Sequence, residues 1–94
     1  MIRSFKGKWA EMILNDRRIP KGFPIGLAKV ARRKLVQLNN AEALADLAAP
    51  PGNRLEALKG TLVGMHSIRI NEQWRIVFRW SAAGPEDVEI VDYH

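Results

Sequence analysis

The sequence predicts an α+β domain in which helices gather on one face of a mostly antiparallel sheet. Three observations predict it. Apolar residues recur at helical spacing through the first half of the chain, and Pro50-Pro51-Gly52-Asn53 halts that pattern. Short alternating runs joined by hairpin-type connections then fill the second half. Helices followed by strands, with no regular βαβ alternation, belong to this class.

The elements follow in order. Ile2-Arg3-Ser4-Phe5 alternates apolar with polar and predicts an N-terminal strand. From Lys8, Trp9, Met12 and Ile13 recur as on a helix, which Asn15-Asp16 ends. Residues 17–22 form a basic loop. Pro24 suits the first position of a second helix, because its missing N–H has no intrahelical partner there. Leu27, Val30, Ala31, Leu35 and Leu38 mark that helix's apolar stripe, with Asn39-Asn40 as its interruption. Residues 41–48 predict a short third helix with Leu44 and Leu47 inward. Past the proline stop, residues 54–58 alternate until Lys59-Gly60, and residues 65–70 form the next run. Asn71-Glu72-Gln73 predicts a hairpin connection. Residues 74–80 alternate strictly, with Trp74, Ile76, Phe78 and Trp80 on one face and Arg75, Val77 and Arg79 on the other. Gly84-Pro85 turns the chain into residues 87–93, where Val88 and Ile90 form the inward pair.

At 94 residues the chain suits one domain spanning 1–94, since neither half builds a core alone. Cysteine is absent, which excludes disulfides, thiolate chemistry and Cys-based zinc sites. With no secretory pattern at the start and no membrane-length apolar run, the sequence points to the cytoplasm and to no membrane partner. Fifteen Lys+Arg against ten Asp+Glu leave a net charge of +5, which attracts polyanions.

The position of that charge is more informative than its total. Lys29, Arg32 and Arg33 share one side of the second helix, with Lys34 nearby; they are a candidate RNA-contacting set and also a plausible dock for a protein partner. Arg69, Arg75 and Arg79 fall on the strand face opposite the apolar residues. Guanidinium forks bind phosphate oxygens two at a time, so this face is a candidate phosphate surface. Glu89 is its carboxylate partner by parity. His66 shares the parity of Ile68 and suits a hydrogen-bonded core role.

Cleavage of RNA needs a base for the ribose 2′-OH, cations for the phosphate, and an acid for the leaving 5′-oxygen, with no metal or cofactor. Asp92-Tyr93-His94 concentrates such groups at the carboxyl end, where His94 titrates near neutrality. Glu56, Lys59 and Gln73 are further polar candidates. Strict alternation places Tyr93 on the arginine face and Asp92 and His94 opposite, unless the strand ends earlier or a bulge re-aims it. No phosphate-binding glycine loop and no metal-ligand spacing is present.

Arg54-Leu55-Glu56-Ala57-Leu58-Lys59-Gly60, then Ser67-Ile68-Arg69-Ile70-Asn71-Glu72-Gln73-Trp74-Arg75-Ile76-Val77-Phe78, and the closing Val91-Asp92-Tyr93-His94, resemble the HigB branch of the RelE toxin superfamily. Ile2-Arg3-Ser4-Phe5 fits too, so the resemblance covers nearly the whole chain. It implies a RelE-like α+β ribonuclease fold and ribosome-dependent cleavage of mRNA. It also implies a HigA-type helix-turn-helix antitoxin, through which the pair binds operator DNA. By position, Arg75 resembles the phosphate-binding arginine, and Asp92, Tyr93 and His94 match the functional C-terminal cluster. Lys59 and Gln73 match substrate-contacting positions. Some members carry histidine where this chain has Glu56, which leaves the acid–base assignment open. A ParE-like gyrase-inhibiting toxin and a non-catalytic RNA-binding module are the alternatives.

Overall fold

The computed structural model describes residues 1–92; Tyr93 and His94 lie outside the described residues. Helix α1 spans Trp9–Glu11 and continues as a wider turn through Met12–Asp16, ended by Arg17 in the left-handed region at φ 53°. A tight turn at Ile25–Leu27 leads into α2, Ala28–Asn40. Four strands follow: β1 Glu56–Ala57, β2 Met65–Arg69, β3 Trp74–Ser81 and β4 Gly84–Asp92. They form one antiparallel sheet in the order β1-β2-β3-β4. No described helix is long and apolar enough to cross a membrane.

The alternation of β3 explains the layering. Trp74, Ile76 and Phe78 meet Ala10 and Ile13 from the first helical segment and Ala31, Leu35 and Leu38 from α2 in one core. Ile68 and Val88, on either side of β3, are fully buried in the same layer. Trp9, Phe23 and Trp74 pack edge-on or tilted, with ring centroids 5.1–5.9 Å apart, and tie α1, the segment just after the basic loop and β3 together.

Several predicted elements are shorter than their patterns suggest. Residues 2–5 make a single parallel bridge, Phe5 to Val88, instead of a strand. They run along the outer edge of β4 just where that strand bulges. Val77 pairs with Glu89 but Arg79 with Glu86, so β4 carries an extra residue, and Asp87 takes φ 52°. Ser4 caps the bulge, its Oγ accepting from Asp87 N at 2.9 Å and its carbonyl from Val88 N at 3.1 Å. The third helix is one tight turn, Leu44–Leu47, with Leu47 inward as expected. Asn39 and Asn40 end α2 and do not interrupt it. Pro24 precedes the second helical segment in an extended conformation, ψ 124°, as its cap.

The run at 54–58 pairs for only two residues. Arg54 has φ 45°, and Gly60–Leu62 already forms a turn. Gly84-Pro85 belongs to β4; the β3–β4 connection is Ala82-Ala83, shaped by Ser81 Oγ, which accepts from Ala83 N and donates to Gly84 O.

Candidate functional site

The β2–β3 hairpin builds one end of the candidate site. Asn71 Oδ1 accepts from the backbone N–H of Gln73 at 2.9 Å and of Trp74 at 2.7 Å, which sets the turn. Arg75 then lies beside Arg69 on one flank and Val91 on the other. Its Nη1 donates to the carbonyl oxygens of Asn71 and Glu72, holding the guanidinium against the hairpin. Arg69 Nη2 stands 3.6 Å from Glu72 Oε1. Gln73 Nε2 donates to Asp92 Oδ2 at 3.1 Å, joining two predicted site residues.

Asp92 pairs with Trp74, so it projects from the helix side of the sheet, as strict alternation requires. It borders a cleft of about 620 Å³ whose walls include Lys6, Lys8, Trp9 and Trp74. Lys6 and Lys8 are cations the sequence analysis passed over. The signal was present: two lysines and a glycine directly before an aromatic residue. Tyr93 and His94, the rest of the C-terminal cluster, fall outside the described residues.

The other candidates are spread out. Glu56 is exposed and pairs with Ser67, in the cross-strand row of Val77 and Glu89, two residues along β2 from the row of Arg69. Arg79 pairs with Met65 and is exposed at the far end of the same face, roughly 13 Å along the strand from Arg75 at strand rise. Lys59, also exposed, follows Leu58, whose N–H donates to Met65 O at 2.9 Å, so it belongs to the Arg79 end. Glu89 keeps the parity expected of it, on the arginine face. It sits across from Val77, while the bulge brings Glu86 directly opposite Arg79. The arginine face is also less open than its parity suggests: Leu58, Met65 and Val77 are buried on it and Val91 packs against them.

Lys29, Arg32 and Arg33 stand apart from all of these. They line a groove of about 820 Å³ in the helical layer, whose lining includes no residue of the four strands. Lys34, expected beside them on the surface, is buried, and its Nζ donates to Asn53 Oδ1 at 2.8 Å. Burial, and then the neighbouring charges of Arg33 and Arg69, push its pKa below the ordinary lysine value. His66 stacks on Phe78 with centroids 6.1 Å apart but is only half-buried, and its Nδ1 has no hydrogen-bond partner among the described residues, so the expected hydrogen-bonded core role is not met.

Two helical segments over a four-stranded antiparallel sheet, with arginines across the hairpin strands and an acidic residue at the end of the last strand, are the features of a RelE-like toxin. The comparisons agree. Residues 3–94 match the family model described as the RelE-like toxin of the type II toxin–antitoxin system HigB. The chain is 42% identical over 80 residues to Toxin HigB-1 of Vibrio cholerae serotype O1, covering 85% of this chain and 84% of that protein. It is 39% identical over 57 residues to an uncharacterized protein of Haemophilus influenzae, covering 61% of this chain and 56% of that one. The chain belongs to the HigB-like toxins, and an antitoxin partner comes with that membership.

Proposed function

We propose that the chain is a metal-independent endoribonuclease that cleaves mRNA on the ribosome and so arrests translation. The observation that carries this reading is proximity at one end of the sheet, where Arg75 and Asp92 occupy neighbouring rows on opposite faces. Val91, the cross-strand neighbour of Arg75, immediately precedes Asp92, and Gln73 from the hairpin touches Asp92. The proposed phosphate-binding cation and the first residue of the proposed acid–base tripeptide therefore lie at the same end of the sheet, linked through the hairpin by Gln73.

In this mechanism the ribose 2′-OH loses its proton to a base and attacks the scissile phosphorus. The P–O5′ bond breaks, and an acid protonates the departing oxygen. The guanidinium of Arg75 offsets the charge that grows on the phosphoryl oxygens, and its backbone anchors keep it in place. Asp92, Tyr93 and His94 supply proton transfer and substrate contact, with Gln73 orienting the Asp92 carboxylate. Glu56 is a second carboxylate on the Arg75 face. Arg69, Arg79 and Lys59 follow the RNA backbone away from the cut. The chain acts in the cytoplasm against ribosome-bound mRNA. Its partner is a HigA-type helix-turn-helix antitoxin, which brings the pair to operator DNA.

Primer extension on total mRNA after brief induction tests this. Wild type is expected to give cuts tied to translated frames, and Arg75→Ala and His94→Ala are expected to lose them at least about 100-fold. Growth arrest without cleavage, accompanied by gyrase inhibition, overturns the nuclease in favour of a ParE-like poison. RNA affinity lost at Arg75 but untouched at His94, again without cleavage, leaves only a binding module.

A further inference from the structure

The groove in the helical layer is not used by the chemistry above. Arg17, Arg18, Lys29, Arg32 and Arg33 line it, and among the described residues none of the five forms an ion pair. Its one acidic neighbour, Asp46, is already engaged: Oδ2 accepts the backbone N–H groups of Glu42 at 2.9 Å and Ala43 at 3.0 Å. Arg32 Nε is buried with no hydrogen-bond acceptor among the described residues. Between the cations the wall is apolar. Ile19, Ala28 and Val36 line it, and Ile19 is 44% exposed, unusual for an isoleucine with a core within reach.

We propose that this groove is the dock for an acidic amphipathic helix of the antitoxin. The inference rests on the family's antitoxin partnership and not on the nuclease reading. Phosphates alone would satisfy the cations but leave the apolar wall unused, whereas protein–nucleic acid contacts are predominantly polar. A helix with an apolar stripe flanked by carboxylates satisfies both at once: its aliphatic side chains cover Ile19 and Val36, and its acids meet the arginines. A second copy of this chain, at net charge +5, adds positive charge to a cationic groove and is disfavoured. α2 has 13 residues, about 20 Å of helix, so an occupant of three to four turns matches it in length.

The probe is a synthetic helical peptide of about 15 residues with a leucine stripe flanked by glutamates. Its control has the same composition with the stripe scrambled. The designed peptide is expected to bind the full chain, slow amide exchange along α2 and shift the Ile19 and Val36 methyl resonances. The scrambled peptide should bind at least about tenfold more weakly, as should the designed peptide to an Arg18→Glu, Ile19→Asp double variant. Both changed residues are exposed and outside the helices, so the fold is expected to survive; circular dichroism checks it. Arg18→Ala and Ile19→Ser singly, each with a smaller loss, provide the second reading. Co-purification of the antitoxin with the double variant should fall in step, while RNA cleavage by the free variant stays at wild-type level. Equal binding of the scrambled peptide, protection confined to the sheet face, displacement of the peptide by a single-stranded RNA oligonucleotide, or unchanged affinity in the double variant overturns the proposal. None of these outcomes touches the assignment of Arg75, so failure here is distinct from failure of the nuclease reading.

Discussion

Asn53 shows how much one side chain can organise. Its Oδ1 takes the Lys34 ammonium, and its Nδ2 donates to Gln37 Oε1 at 3.2 Å and Leu47 O at 3.1 Å. Its carbonyl accepts from Arg69 N at 2.6 Å. One buried amide thus joins α2, the Leu44–Leu47 turn and β2, the strand that carries Arg69. Asn53→Ala removes every side-chain link and leaves a buried ammonium without its acceptor. It is expected to lower unfolding free energy by about 1–3 kcal/mol in urea titration. Lys34 adds a pH dependence with a definite sign. Its folded pKa is lowered, so in the alkaline range the unfolded chain binds more protons than the folded one, and stability rises with pH there. The penalty of the buried charge is fully present below the folded pKa and is relieved as pH climbs through it toward 10.5. The Tm of wild type relative to Lys34→Met should therefore increase across that window; a flat difference would show that Lys34 titrates as an exposed lysine. Lys34 was readable in principle. It lies at i+3 from Ala31 and i−4 from Leu38, within the buried stripe, but three neighbouring cations drew it toward the surface set. Asn53 read only as a turn residue, because its partners come from three separate segments.

Among the elements, β4 departs most from its pattern. A strand of alternating residues is expected to keep one register, yet the extra residue at Asp87 shifts it and the N-terminal segment seals the gap. Gly84 enables that closure. It has φ +126°, and a Cβ there would sit 2.5 Å from the carbonyl oxygen of Met1. Gly84→Ala is expected to destabilise by about 1–3 kcal/mol and to push the N-terminal segment off β4. Hydrogen exchange checks it: the Arg3 and Lys6 amides, which donate to Pro85 O and Val88 O, should lose protection first. The β2–β3 hairpin was the easier element to foresee. Asn71 turns it through local hydrogen bonds, and local interactions are written in adjacent residues. Two-residue β1 and the single bridge at Phe5 were not foreseeable at that length, since where pairing stops depends on what the far strand does.

At the scale of the whole molecule, there are two sets of cations. Arg69, Arg75 and Arg79 lie on one face of the sheet; Lys29, Arg32 and Arg33 line the groove in the helical layer. On the two proposals above, RNA and antitoxin would meet different surfaces of this small chain. Salt dependence distinguishes them. If Arg79 contacts a phosphate, Arg79→Ala should weaken single-stranded RNA binding and reduce the slope of log affinity against log salt by about 0.7. A filter-binding series over salt measures it, and an unchanged slope removes Arg79 from the RNA path.

The order of helices and strands, the inward faces of α2 and β3 and the placement of arginines across from the core were set by the sequence, because they depend on periodicity within single segments; the RelE-like class was legible only through the resemblance of particular motifs. Tertiary structure alone decided that Lys34 is buried, that Glu86 and not Glu89 faces Arg79, that Gln73 reaches Asp92, and that the helix cations frame an apolar groove. Those outcomes depend on which segments pack together, and the free energy of a contact between distant segments is a property of the pair, carried by neither segment alone.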